Sequence, residues 1–385
     1  MQWRVPLSDL DYDIEEEQAV LNVLRSKWLT MGAVTQELEQ AFAQRLGARH
    51  AVAVSNATQA LHLACLALNI GPGDEVVVPS LTFVATANAV LYTGAEVRFA
   101  DIIGSKELTI SPESIEAAIS PRTKAIMIMH YAGFPCRMPE IMDVARRYNL
   151  PVIEDAAHAP DASIEGKALG TWGDAGCFSF FSNKNLATGE GGMLVTNRDD
   201  IADAAKTLRS HGMTSLTWDR HQGHAYSYDV VALGFNDRID EVRSALGLVQ
   251  LKKLPANNNR RKEITEMYWE GLEATDVGLP FRNTSGVSAH HIFPIMLPKG
   301  TNRKAFIDLL RVQGIQTSIH YPPIHLFSFY QKRYPGVVLP LTEEIASREV
   351  TLPLYPKMTD EMVGWVINAV RSAVPEASRI AQAAD

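Results

Sequence analysis

The feature that most constrains this chain is an alternation. Short segments that are apolar from end to end are each followed by a helical pattern. Residues 51–55 (AVAVS) read as a buried strand. Ala57, Ala60, Leu61, Ala64, Cys65 and Leu68 then recur at helical spacing. Gly71-Pro72-Gly73-Asp74 breaks the chain, residues 75–79 (EVVVP) make a second strand, and a helix is expected over 83–93. Further strands are expected at 96–102, 125–129, 152–155, 177–181 and 193–196, with helices at 138–148 and 201–211. Strands without polar alternation have both faces covered, so the pattern predicts an α/β fold with a mostly parallel sheet between helices. Ligands in such sheets bind beyond the carboxyl ends of the strands. That places the search just after Val54, Val78, Ile153 and Phe180.

A long helix is expected over 240–261, after which the pattern changes. Strands at 290–297 and 315–321 flank a helix at 303–313, and an amphipathic helix covers 359–374. Residues 376–385 carry no clear pattern and are expected to fray. The 385 residues therefore divide into a large domain, 1–255, whose amino-terminal segment can pack on the second part, and a smaller α/β domain, 256–385. The acidic run Glu15 to Glu17 is expected on a solvated helix face.

Charge narrows the partners. Lysine and arginine total 36 against 44 aspartates and glutamates, a net charge of −8. That balance argues against a broad nucleic-acid surface or a polybasic membrane anchor, but not against a local anion site. No apolar run reaches the ~18 residues of a membrane span, and the acidic amino terminus lacks a signal-peptide core. Cys65, Cys136 and Cys177 are too few and too scattered for a disulfide framework or a metal site. A cytoplasmic, metal-free protein is expected.

Three clusters carry chemistry. Ser55-Asn56-Ala57-Thr58 sits between a strand and a helix, where free helix-start amides make an anion site or simply a cap. Glu154-Asp155-Ala156-Ala157-His158 ends an apolar strand. A carboxylate there is poorly solvated unless paired, which suits a protonated pyridine nitrogen or a structural ion pair. In Phe178-Ser179-Phe180-Phe181-Ser182-Asn183-Lys184, a lysine lies among aromatics just past a strand end. An apolar wall lowers a lysine's pKa and makes it a nucleophile toward carbonyls, although most lysines are surface residues. Jointly the three supply what pyridoxal phosphate requires: a lysine, a carboxylate for the ring nitrogen and a phosphate cup.

With those residues in place, the chain resembles the DegT/DnrJ/EryC1/StrS family of sugar aminotransferases, pyridoxal-phosphate enzymes of fold type I. The likeness runs from Trp28-Leu29-Thr30-Met31-Gly32 to Leu352-Pro353-Leu354-Tyr355-Pro356, and the spacing 184 − 155 = 29 between Asp155 and Lys184 resembles the family's. The resemblance implies that Lys184 binds the cofactor covalently and then acts as acid and base. It implies Asp155 on the pyridine nitrogen and His158 near the phenolic oxygen. Ser179, the Ala57 backbone and Thr58 would hold the phosphate, and Phe83 would stack on the ring. Asn236, in Gly234-Phe235-Asn236-Asp237-Arg238, matches an asparagine that reaches the phosphate from a partner subunit, which implies a homodimer with shared sites.

Two departures stand out. Members often have Ser-Gly-Thr where this chain has Asn56-Ala57-Thr58, and Asp237 stands where an aromatic is common. Relatives that dehydrate sugars replace the lysine by histidine, so Lys184 favours transamination. The implied reaction moves an amino group from an amino acid, by family habit L-glutamate, to a nucleotide-linked 4-keto or 3-keto hexose. The Glu154–His158 and Thr188–Gly192 wording is similar to members that aminate carbon 4 of UDP-linked sugars. Tyr321 and His325, in His320-Tyr321-Pro322-Pro323-Ile324-His325, and Met31 are candidate sugar contacts, with a packed turn as the alternative reading of the proline segment. A cyclitol aminotransferase and a non-catalytic regulator that binds the cofactor or a sugar are the competing expectations.

Overall fold

A computed structural model describes residues 3–214 and 227–382. Its centre is a seven-stranded sheet of β1 (His50–Val54), β2 (Glu75–Pro79), β3 (Glu96–Ala100), β4 (Thr123–Met129), β5 (Val152–Asp155), β6 (Ala175–Ser179) and β7 (Gly192–Thr196). The strand order is β1-β7-β6-β5-β4-β2-β3. All neighbours are parallel except β7, which runs antiparallel to both β1 and β6. Successive strand residues serve opposite faces. Val77, Ile126 and Ile128 join the core that includes Phe42 and Phe178, whereas Val76, Val78 and Met127 join the one around Leu61 and Leu63. This two-sided burial explains the uninterrupted apolar strands, each buried leucine or isoleucine contributing roughly 1.5–3 kcal/mol.

Helices α1 (Ile14–Ser26), α2 (Ala33–Leu46), α3 (Ala57–Ala67), α4 (Ala85–Tyr92), α5 (Pro112–Ala118), α6 (Met138–Tyr148) and α7 (Asp199–Leu208) surround the sheet. Two hairpins, Ile102–Gly104 with Glu107–Ile110 and Ser163–Ile164 with Lys167–Ala168, lie outside it. In α1, Asp13 and Glu16 close a reciprocal capping box. Glu16 is buried and also bonds Lys253 and Gln250, so the acidic run is only partly solvated. Capping and an inter-helix ion pair turn its middle carboxylate inward.

Helix α8 (Glu241–Leu272) is 32 residues long and passes through Pro255. Leu251 and Leu254 pack in the sheet's core, while Ile264, Tyr268 and Leu272 pack in a separate carboxyl-terminal core. Residues 255 and 256 thus fall inside one helix that serves both cores. The second core covers β8 (Phe293–Met296), paired antiparallel with β9 (Glu349–Leu352). Around it lie α9 (Arg303–Val312) and α12 (Asp360–Gln382), with the short α10 (Ser328–Arg333) and α11 (Pro340–Arg348) between. Val5 joins this core and bridges to Ile315.

Two expectations are corrected. Residues 315–321 do not form a strand: Ile315 bridges to Val5, Ser318 bridges to Thr351 of β9, and His320 bonds Glu349 and Thr351 of that strand. β8 is flanked by β9 on one side and bridged by Gly278 at Met296, and on the free side of β9 Pro322 and Pro323 cannot extend a ladder beyond the Ser318 bridge. Residues 376–382 do not fray, because α12 runs through Pro375 to Gln382 and buries Ala377. Residues 383–385 lie outside the described residues.

Candidate active site

The strand ends converge on a cavity of about 430 Å³. Its first wall is the start of α3. Asn56, in extended conformation, caps the helix by accepting from the Gln59 amide at 3.0 Å. That leaves the amides of Ala57 and Thr58 heading the helix, the arrangement that favours an anion. Gly192, the first residue of β7, pairs with Val54 and Ser179. A Cβ built on Gly192 would lie 2.5 Å from the Asn56 carbonyl carbon and 2.7 Å from the Ala57 nitrogen. Only glycine lets β7 close on the cup. Ala57 has no positive φ, so the alanine in place of the family's glycine carries no strain.

Asp155 ends β5 and is 4% exposed. Its Oδ2 accepts from Thr86 Oγ1 at 2.7 Å and its Oδ1 from the Ala157 amide at 3.2 Å. Because the Thr86 proton goes to Asp155, Thr82 Oγ1 donates to Thr86 at 2.8 Å. Burial pushes the Asp155 pKa up, and Thr86, Ala157 and Lys184 oppose it. A carboxylate so placed gains most from a cationic N–H partner.

Lys184 follows Ser179 by five residues, in a loop between the paired strands β6 and β7. Burial lowers its pKa to about 8 against the opposing pull of Asp155. His158 is buried and held neutral by burial and by nearby Lys184. Its Nε2 pairs with the Tyr321 hydroxyl at 3.0 Å. The Tyr321 pKa is raised, first by burial, so that hydroxyl keeps its proton. Phe83 is 55% exposed at the cavity mouth, its ring 6.0 Å from that of Tyr321.

The cavity therefore brings together Lys184, Asp155, His158, Ser179, Ala57, Thr58, Phe83 and Tyr321. His158 Nδ1 and Asn183 Oδ1 line it buried and without a partner. With the buried carboxylate, the nearby lysine and the helix-start cup, this donor set fits pyridoxal phosphate. Lys184 would bind it, Asp155 would face its ring nitrogen, and Ser179, Thr58 and the Ala57 amide would hold its phosphate.

Three expected residues lie elsewhere. Asn236 is exposed and bridges to Ser210 outside this cavity. Met31 lines a different cavity, of about 350 Å³, with Glu39 and Arg209. His325 does not reach the cavity. Its Nδ1 meets Ser80 Oγ at 2.7 Å and its Nε2 meets Glu343 at 3.1 Å, so it holds the proline turn in place. The packed-turn reading applies to His325, whereas Tyr321 of the same segment faces the cavity. Sequence reasoning missed Thr86, Asn183, Glu190 and His320, the last three of which line the cavity, and His291 behind it. The available signal was a polar Thr86 in the first turn of the largely apolar α4.

The model of the DegT/DnrJ/EryC1/StrS aminotransferase family matches residues 11–371. The chain is 41% identical over 369 residues to the spore coat polysaccharide biosynthesis protein SpsC of Bacillus subtilis, covering 94% of each. Among solved structures it is similar to the aminotransferase TlmJ of Streptoalloteichus hindustanus, with a TM-score of 0.90, 33% identity and coverage of 97% and 99%. It is also similar to Helicobacter pylori PseC, an aminotransferase involved in the biosynthesis of pseudoaminic acid, with a TM-score of 0.90, 30% identity and coverage of 98% and 100%.

Proposed function

From the premise that this chain belongs to the DegT/DnrJ/EryC1/StrS aminotransferase family, we propose an amino-acid donor, L-glutamate, and a nucleotide-linked 4-keto or 3-keto hexose as acceptor. The protein is a pyridoxal-phosphate-dependent sugar aminotransferase, and its product would enter amino-sugar biosynthesis. The observation that carries the site reading is the meeting of Lys184, buried Asp155 and the Ala57-Thr58-Ser179 cup in one cavity.

Pyridoxal phosphate supplies an electron sink for the carbanion beside the amino nitrogen. The residues of this chain do the rest. Asp155, tied to Thr86, would accept the N–H of the cofactor's ring nitrogen and so favour its protonated form. Lys184 Nζ, with a pKa of about 8, is neutral in about a tenth of molecules at pH 7 and in half near pH 8, so it can take a proton from the donor's α-carbon and return it. Ser179 and Thr58 would fix the phosphate. Tyr321, on the C-terminal side of the cavity, faces the acceptor with its proton retained.

We also read the protein as a homodimer in which exposed Asn236 completes the partner's phosphate cup. A panel of nucleotide-linked keto hexoses and keto cyclitols, offered with glutamate and read by mass spectrometry, tests the substrate. Turnover of cyclitols alone overturns it. Failure of glutamate to bleach the visible absorbance of the lysine-bound cofactor overturns the donor.

A further inference from the structure

A hydrogen-bond chain behind Lys184 has its direction set by two main-chain carbonyls. Asn258 Nδ2 donates to Pro160 O at 3.0 Å, so its Oδ1 is the atom that accepts from Asn185 Nδ2 at 2.8 Å. Asn185 Nδ2 also donates to Ala289 O at 2.7 Å. Carbonyl oxygens only accept, so neither amide can be turned over. The Asn185 oxygen therefore faces His291 Nδ1 at 2.9 Å, and that nitrogen must carry the hydrogen. His291 is 4% exposed, and burial and the neighbouring cations depress its pKa, so the ring is neutral. A neutral ring with hydrogen on Nδ1 presents a lone pair at Nε2. Lys184 Nζ lies 3.5 Å from that atom. The His291 main chain is fixed as well, donating to Ala132 O at 2.8 Å and accepting from Arg261 at 3.1 Å.

We propose that His291 is a positioning residue for the catalytic lysine: its Nε2 lone pair docks the Lys184 amine whenever that amine is free of the cofactor. The amine is displaced in each half-reaction, and a fixed acceptor keeps it beside the carbons between which it moves protons. His291 remains neutral throughout. The inference rests on Lys184 being the cofactor-binding lysine.

Other groups facing Lys184 are Asp155 from β5, His158 from the loop after it, and His320 and Tyr321 from the C-terminal segment. Arg261 of α8 stands behind His291. Among them Asp155 favours the ammonium, as does an acceptor at Nε2.

The test uses the full chain freed of cofactor. Pyridoxal condenses with the free amine, water leaves, and borohydride reduces the carbon–nitrogen double bond. The label on the Lys184 peptide is quantified against pH. His291→Leu is expected to lower the titration midpoint by about one pH unit, a tenfold change in the amine-to-ammonium ratio, and His291→Gln to restore it. A midpoint unmoved in His291→Leu, with the label on Lys184, overturns the docking role alone. A label elsewhere overturns both the docking role and the lysine assignment. On the unsubstituted protein, ring nitrogen-15 spectra are expected to show hydrogen on Nδ1 only from pH 6 to 9. Hydrogen on Nε2, or on both nitrogens, overturns the proposal.

Discussion

Replacing Thr86 by valine isolates the support of the Asp155 carboxylate. Valine keeps the shape and deletes the hydroxyl that donates to Oδ2 at 2.7 Å. A hydrogen bond to a charged group contributes about 1.5–3 kcal/mol, equivalent to about one to two pH units on the carboxyl. The Asp155 pKa is already raised by burial, and losing Thr86 raises it further. The sign follows. A carboxyl whose folded pKa lies above its unfolded value is neutral in both states at low pH, and stability falls as pH rises from the unfolded value toward the folded one. The variant carries that fall further. In urea unfolding of the cofactor-free protein, the gap between the two proteins should therefore widen by about 1.5–3 kcal/mol between acid and neutral pH. A small constant offset from the undonated Thr82 hydroxyl underlies it. With cofactor, kcat/KM should fall about ten- to a hundredfold and recover partly at higher pH only if the ring nitrogen's proton is not limiting. A gap of equal size at every pH would refute the reasoning, because it would place the whole effect in packing.

Lys184→Ala should abolish turnover and the visible absorbance of the lysine-bound cofactor while leaving the circular dichroism unchanged. Ser179→Ala should weaken cofactor binding about ten- to a hundredfold, read by fluorescence titration. Gly192→Ala should cost about 1–3 kcal/mol in urea unfolding and lower cofactor affinity, since its Cβ meets main chain at 2.5 Å. Lys184→Ala and Asn236→Ala, each inactive alone, should regain activity when mixed as subunits, and no recovery would refute shared sites. The depressed pKa of His158, His290 and His291 means the unfolded chain takes up protons first. Stability should therefore drop as pH falls below about 6.5, by roughly 1.4 kcal/mol per unit for each histidine until its folded value is reached. A flat acid limb down to pH 5 would refute their buried neutral state.

Much of the sheet was legible because its physics is local. Residues 75–79, 138–148 and 152–155 form the expected elements at the expected bounds, since each carries its own period and its own breaker. β9 was not legible: four residues between a helix and Pro353 become a strand only because β8 offers an edge. The site divides in the same way. Lys184, Asp155 and the cup stand at strand ends, where topology alone directs attention. His291 lies 107 positions from Lys184 and looks like one more histidine in an apolar strand. Its meaning comes from two asparagine amides whose orientations only tertiary contacts set. His325 shows the converse, a residue in a conspicuous motif whose ring nitrogens are used by Ser80 and Glu343.

The antiparallel strand β7 has a consequence for how the molecule is made. β1 is an edge strand whose neighbour in the sheet is β7, and His50 pairs with Thr196, 196 − 50 = 146 positions later. On the ribosome β1 must wait, unpaired, until the chain has grown through residue 196. Contacts of such long separation close late and slowly. One of the two seams that β7 closes presses Gly192 against Asn56 and Ala57. The proposed phosphate cup is thus finished by the same event that finishes the sheet, and a newly made chain is expected to grip the cofactor only once that sheet has formed.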